Sequence, residues 1–84
     1  MKVQVVLYGM LRERLARATR GRLTVELPEG SCLADLRAHL GIQTQVGCSI
    51  NGQIERDPGR VLQDGDEVHL FQSIGGGSKT VGID

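Results

Sequence analysis

The stretch LQDGDEVHLFQSIGGG, Leu62 to Gly77, carries three signals in close succession. Asp64 and Gly65 make a tight turn, because both residue types accept the backbone positions that such a turn requires. Glu67 to Phe71 then alternates, with Val68 and Leu70 facing a core and His69 pointing the other way, toward solvent. Gly75, Gly76 and Gly77 follow; having no side chains, they add nothing to a core and leave the backbone free to thread a narrow space. The stretch therefore closes a domain with a strand and a short arm, and seven further residues, SKTVGID, come after it.

What precedes that strand is a single small domain. Eighty-four residues allow one domain of modest stability. Basic and acidic residues number 10 each, which argues against strong electrostatic affinity for nucleic acid or an acidic membrane. The one basic concentration, Arg12, Arg14, Arg17, Arg20 and Arg22, has no aromatic stacking platform beside it, since Tyr8 and Phe71 are the only tyrosine and phenylalanine and tryptophan is absent. KVQVVLYG after Met1 is too short and too alternating for a signal peptide, and no apolar run approaches a bilayer span, so a cytoplasmic location is expected. Cys32 and Cys48 lack ligand-like spacing to a histidine and read as reduced, partly buried thiols. Cys32, at a helix start, is the one of the two whose thiolate amide dipoles would favour. Two distant cysteines also exclude an iron–sulfur cluster, which needs four ligands.

Along the chain the hydrophobic period changes in order. MKVQVVLY puts Val3, Val5 and Leu7 on one face, with Val6 and Tyr8 on the other, and predicts a first strand. MLRERLARATR places Leu11, Leu15 and Ala18 on one helical stripe and leaves the arginines to a solvated face, until Gly21 breaks it. RLTVELPEG alternates again through Leu23, Val25 and Leu27 and stops at Pro28 and Gly30. SCLADLRAHLG predicts a second helix capped by Ser31, with Leu33, Leu36 and Leu40 on its stripe, His39 on its surface and Gly41 past its end. VGCSINGQIE reads as two short extended pieces turning at Asn51-Gly52. DPGRVLQDGDEVHLF contributes a turn at Asp57 to Gly59, with Val61 and Leu62 both sealing the core below it. Leu7, Leu15, Val25, Leu36 and Leu70 are expected to pack across two layers, a sheet covered by helices.

With this order of elements, GMLRERL at Gly9 to Leu15 and LxDGDEVxxFxxxxGG at Leu62 to Gly77 resemble the sulfur-carrier proteins of the β-grasp, ubiquitin-like superfamily. The similarity is to the small subunit of molybdopterin synthase and its thiamine-pathway relatives, and it spans Lys2 to Gly77. It implies an α+β fold of the β-grasp (ubiquitin-like) type, a mixed sheet packed with helices, with the domain and arm over 1–74 and a flexible glycine-rich tail over 75–84.

The resemblance also implies a chemistry. In such carriers a partner E1-like adenylating enzyme uses ATP to activate the carboxylate of the terminal glycine; the carrier itself binds no cofactor and no metal. A sulfur donor then replaces AMP, and the resulting thiocarboxylate is passed to an acceptor synthase subunit. An arm of glycines suits this task, since it can bring its carbonyl carbon to a nucleotide without steric conflict. Carried onto this chain, Gly77 is the activated terminus, Gly76 its diglycine partner, and Phe71, Ile74 and Gly75, with Arg12 and Arg14 at the rim, are the partner-binding residues. The chain departs from the family twice. The arm has QSI at Gln72 to Ile74 where prolines are usual, and the glycines are followed by Ser78 to Asp84. An internal glycine offers an amide, which cannot be adenylated, so the carrier reading requires a protease to cut between Gly77 and Ser78. Two other readings stay open: a protein modifier joined through Gly77 to lysines, and a β-grasp interaction subunit that catalyses nothing.

Overall fold

A computed structural model of the chain describes residues 1–72, which form five strands and two helices. They run β1 (Lys2–Leu7), α1 (Gly9–Leu15), β2 (Arg22–Glu26), α2 (Leu33–Leu40), β3 (Val46–Ile50), β4 (Gln53–Ile54) and β5 (Glu67–Gln72). The sheet order is β2-β1-β5-β3-β4. All neighbours are antiparallel except the first and last strands, which pair in parallel from Gln4↔Glu67 to Leu7↔Leu70. This is the mixed α+β arrangement of a β-grasp. One face of the sheet, lined by Val3, Val5, Leu7, Val25, Cys48, Ile50, Val68 and Leu70, forms the core with Leu11 of α1 and Leu33 and Leu36 of α2. No helix among the described residues is long and apolar enough to cross a membrane.

The local signals explain most of these boundaries. Asn51 and Gly52 hold φ of 51° and 89°, the pair of positive values that a two-residue hairpin turn demands. Gly41 ends α2 in the left-handed region at φ 74°, and its N–H reaches the carbonyls of Arg37 and Ala38. The N-terminal cap of α2, however, is Cys32 rather than Ser31. Asp35 closes the first turn by accepting the Cys32 N–H at 2.9 Å, and this bond holds its carboxyl below the usual range. Ser31 is buried one residue earlier and donates its hydroxyl to the Pro28 carbonyl at 2.7 Å.

Three expectations about the core require correction. The first helix ends at Leu15, five residues short of Arg20, and Leu15 is 38% exposed; Ala18 is exposed as well, and Ala16 is buried in their place. The cause is Gly21, whose N–H bonds the Ala16 carbonyl and whose carbonyl accepts the Leu7 N–H at 2.7 Å, starting the β1–β2 ladder. A chain that must return to Leu7 there has no length for another helical turn. Gly21 adopts φ 88°, and a Cβ on it would stand 2.6 Å from the Leu7 carbonyl oxygen. Val61 is 53% exposed, and only Leu62 seals the core, because Val61 bridges to Cys32 and neighbours in extended chain point opposite ways. Cys48 is buried, whereas Cys32 is half-buried as expected.

These placements separate two leucines of identical chemistry. Leu36 is completely buried, so Leu36→Ala is expected to lower the unfolding free energy by about 2 to 5 kcal/mol. Leu15→Ala is expected to cost less than about 1 kcal/mol, because its side chain already meets water. Chemical denaturation of the two variants measures both; equal losses would contradict the shortened helix.

Candidate functional site

The helices leave the second face of the sheet open, and three strands place side chains on it. Val6 and Tyr8 come from β1 and its end, His69 and Phe71 from β5, and Gly47 and Ser49 from β3, in the registers Val6↔His69, Ser49↔His69 and Gly47↔Phe71. Tyr8 and His69 form a polar pair: the phenol oxygen and His69 Nδ1 are 2.7 Å apart, with the rings 5.7 Å between centroids. His69 Nε2 lies 3.6 Å from the Glu67 carboxylate. His69 is therefore half-buried and held between two partners rather than simply directed to solvent.

Phe71 lies across Gly47. A Cβ at position 47 would overlap the edge of the Phe71 ring, so the strand accepts the aromatic only because that residue is glycine. The ring is half-buried, neither wholly core nor free, and the next residue, Gln72, pairs with Val46 at the end of the sheet. Any arm starting after Gln72 thus leaves from a position fixed by the central strand. Exposed Tyr8 and Met10 lie near this end, since the Tyr8 N–H bonds the Leu70 carbonyl at 3.2 Å and Met10 opens α1.

The two arginines assigned to the rim separate. Arg14 stands with Leu11 and Leu15 across a hollow from Gln43 and Thr44, in the loop that leads to Val46 and so toward the root of the arm. Arg12 packs its stem near Gly21, on the side of the β1–β2 connection. Both are exposed. Ile74, Gly75, Gly76, Gly77 and Ser78, and with them the boundary drawn at residue 74, lie outside the described residues.

The chemistry this face offers is recognition. Among the described residues no group of three or more His, Cys, Asp or Glu side chains could hold a metal ion. The buried Cys48 thiol is pushed up to about 11, chiefly by loss of solvent and then by the Glu55 carboxylate, which opposes thiolate formation. Sequence reading put Val6, Tyr8 and His69 off the core face but did not join them, because alternation says nothing about which strands are neighbours. Gly47 was also overlooked as a site residue; a glycine inside VGCSI is the local sign that another group approaches the backbone closely.

Fold and open face together define a small ubiquitin-like β-grasp protein. Residues 5–77 match the ThiS family, and the chain belongs to it. Among solved structures it is similar to a protein from Pyrococcus furiosus described as molybdopterin converting factor subunit 1, with TM-score 0.71 and 25% identity over 86% of this chain and 97% of that one. It is also similar to SAMP1 from Haloferax volcanii, with TM-score 0.70 and 20% identity over 92% of this chain and all of that one. A third likeness is to the complex of molybdopterin-converting factor subunits 1 and 2 from Helicobacter pylori, with TM-score 0.62 and 20% identity over 87% of this chain and 95% of the matched one. No curated protein matches the chain.

The Gly47–Phe71 contact can be tested alone. Gly47→Ala is expected to displace the ring and to destabilise the domain by about 1 to 3 kcal/mol, the usual range for overpacking a close contact. Thermal unfolding and the Phe71 ring proton shifts report the two effects. An unshifted ring in a stable variant would show that the aromatic does not depend on the bare backbone beneath it.

Proposed function

We propose that this chain is a sulfur carrier whose reactive group is the carboxylate of Gly77, exposed when residues 78–84 are removed. The observation that carries the reading is that the family match closes at Gly77, the residue at which arm length places the second of the paired glycines. A protease hydrolyses the Gly77–Ser78 amide. The freed carboxylate attacks the α-phosphorus of ATP on an E1-like adenylating enzyme, pyrophosphate leaves, and an acyl adenylate forms. Sulfur from a donor then displaces AMP at the carbonyl carbon, leaving a thiocarboxylate. All the catalytic groups belong to the partners; the carrier contributes reach and a defined point of departure for the arm.

The open face supports the docking half of this reading. Phe71 with the exposed Tyr8 gives this face an apolar centre of the kind on which protein interfaces are built, while the exposed Met10 and Arg14 belong to α1. The Helicobacter pylori structure unites subunits 1 and 2 of a converting factor, which supports an acceptor synthase subunit as the later partner of this chain. The second reading, conjugation of Gly77 to lysines of other proteins, begins from the same carboxylate. It draws support from the Haloferax volcanii fold, since another structure of that type is described as small archaeal modifier protein 1.

The test uses the chain ending at Gly77, the full 84-residue chain, and the adenylating enzyme of the same cells. Pyrophosphate release from ATP is expected with the shortened chain and absent with the full one. Equal release from both would show that activation does not use the Gly77 carboxylate, and no release from either would favour a plain interaction subunit.

A further inference from the structure

Beside β3 lies a groove that the proposed chemistry leaves unused. Its volume is about 780 Å³, and it runs between α2 and the far edge of β3, with Leu33, Arg37, Gly47, Cys48, Ile54 and Phe71 among its walls. It exists because β4 is two residues long and pairs only with Ser49 and Ile50, so the first half of β3 has no strand beside it, among the described residues, on the side away from β5. The backbone there is aimed outward. The Asn51 N–H bonds the Glu67 carbonyl on the β5 side at 2.9 Å, and the Glu55 N–H bonds the Cys48 carbonyl on the opposite side at 2.9 Å. Alternation then turns the Cys48 N–H and both backbone groups of Val46 to that opposite edge, where no described residue meets them. Such an edge accepts an added strand.

Arg37 gives the groove a charge preference. It stands one helical turn beyond Leu33 on α2, and both side chains line the groove from the helix side. Its Nε is buried without a hydrogen-bond partner among the described residues, and its Nη2 has only a long 3.4 Å bond to the Thr44 carbonyl. Neither Arg37 nor Arg56, also on the wall, has a carboxylate in ion-pair range among the described residues. The acid that lines the groove, Glu55, is already engaged by the Arg60 guanidinium and the Asp57 N–H, and these bonds hold its carboxyl below the usual range. A buried guanidinium donor calls for an acceptor, and a carboxylate meets it best.

The two sides of an added strand meet different surfaces. Gly47 and Ser49 share the open face with Phe71 and, through the Ser49↔Ile54 pair, with Ile54, which is 64% exposed. Val46 and Cys48 alternate with them and face the helix side, where Leu33 and Arg37 stand. Successive residues of an incoming strand therefore lie in turn against Phe71 with Ile54 and against Arg37. The edge from Gln45 to Cys48 carries no acid, so the same edge of a second copy leaves Arg37 unmet. A partner that covers the open face reaches the groove at Phe71, which borders both.

We propose that this groove docks an extended segment of a partner protein in which carboxylates alternate with apolar side chains. The segment adds a short strand to the edge at Val46 and Cys48, seats its apolar residues on Phe71 and Ile54, and gives a carboxylate to Arg37. The contact is a second interaction surface beside the open face, and it does not depend on the chemistry proposed for Gly77.

The probe is a blocked hexapeptide of alternating valine and aspartate, titrated into the full 84-residue chain and followed by the backbone amide and Arg37 Nε proton shifts. Shifts at Val46, Cys48 and Arg37 Nε are expected, with an affinity roughly tenfold above that of the matching valine–asparagine peptide, the advantage of a charge-assisted bond over a neutral one. Arg37→Gln is expected to bring the two peptides level, with thermal unfolding of the variant still cooperative. Two further peptides, methylated on one or the other alternate set of backbone nitrogens, test strand pairing without altering the protein: the set that faces the edge loses binding and the other keeps it. Equal affinity of the unaltered chain for the aspartate and asparagine peptides, the same behaviour from both methylated peptides, or shifts confined to Tyr8 and His69 would each overturn the proposal. Absence of binding would overturn it as well, and so would self-association of the chain that rises with protein concentration and excludes the peptide. Pyrophosphate release by the chain ending at Gly77 judges the carrier reading separately.

Discussion

The structure depends on the parallel pairing of its first and last strands, and that pairing is held by the Asp64–Glu67 turn. The Lys2 N–H donates to the Asp64 carboxylate at 2.7 Å, the Lys2 carbonyl accepts the Gly65 N–H at 2.8 Å, and the Gln4 N–H donates to the Asp66 carbonyl at 2.8 Å. The Asp66 carboxylate takes the Gln63 N–H on one oxygen and the Asn51 side-chain amide on the other, while Asn51 accepts the Glu67 N–H. One turn thus fixes the register of β5 against β1 and ties it to the β3–β4 hairpin. A slip of one residue would turn Val68 and Leu70 out of the core and His69 and Phe71 into it.

That constraint positions the function. A strand added last in sequence but central in the sheet has a neighbour on each side, so its end is defined from two directions: Tyr8 bonds Leu70 from β1, and Val46 pairs with Gln72 from β3. An arm that must bring one carbonyl carbon to a partner's nucleotide gains from a root that does not wander. The same centrality brings Tyr8 to His69 and lays Phe71 over Gly47, which makes the open face a formed surface rather than a set of scattered side chains. Under the proposed carrier chemistry the fold acts as a handle that holds the root of the arm.

How much of this the sequence shows depends on the range of each interaction. Asn51-Gly52, Gly41 and Asp64-Gly65 are legible because their conformations are set within a few residues. The β1, β2 and β5 faces are legible because a period of two survives any choice of neighbours. The end of α1 is not, since it is imposed by Gly21 returning to Leu7, a contact that no helical stripe records. Val61 misleads for a related reason: it is as apolar as Leu62, and only the bridge to Cys32 decides which of the two points inward. The glycine proposed as reactive, Gly77, is read through resemblance alone, because a run of glycines carries no hydrophobic period.

The central claim is that the chemistry resides at a freed Gly77 carboxylate. The most direct measurement is the intact mass of the protein isolated from its native cells while they require the sulfur-containing product. The account predicts a species ending at Gly77 in which one carboxylate oxygen is replaced by sulfur. A chain that remains uncut at Ser78 to Asp84 under that demand, with no thiocarboxylate form, would contradict it.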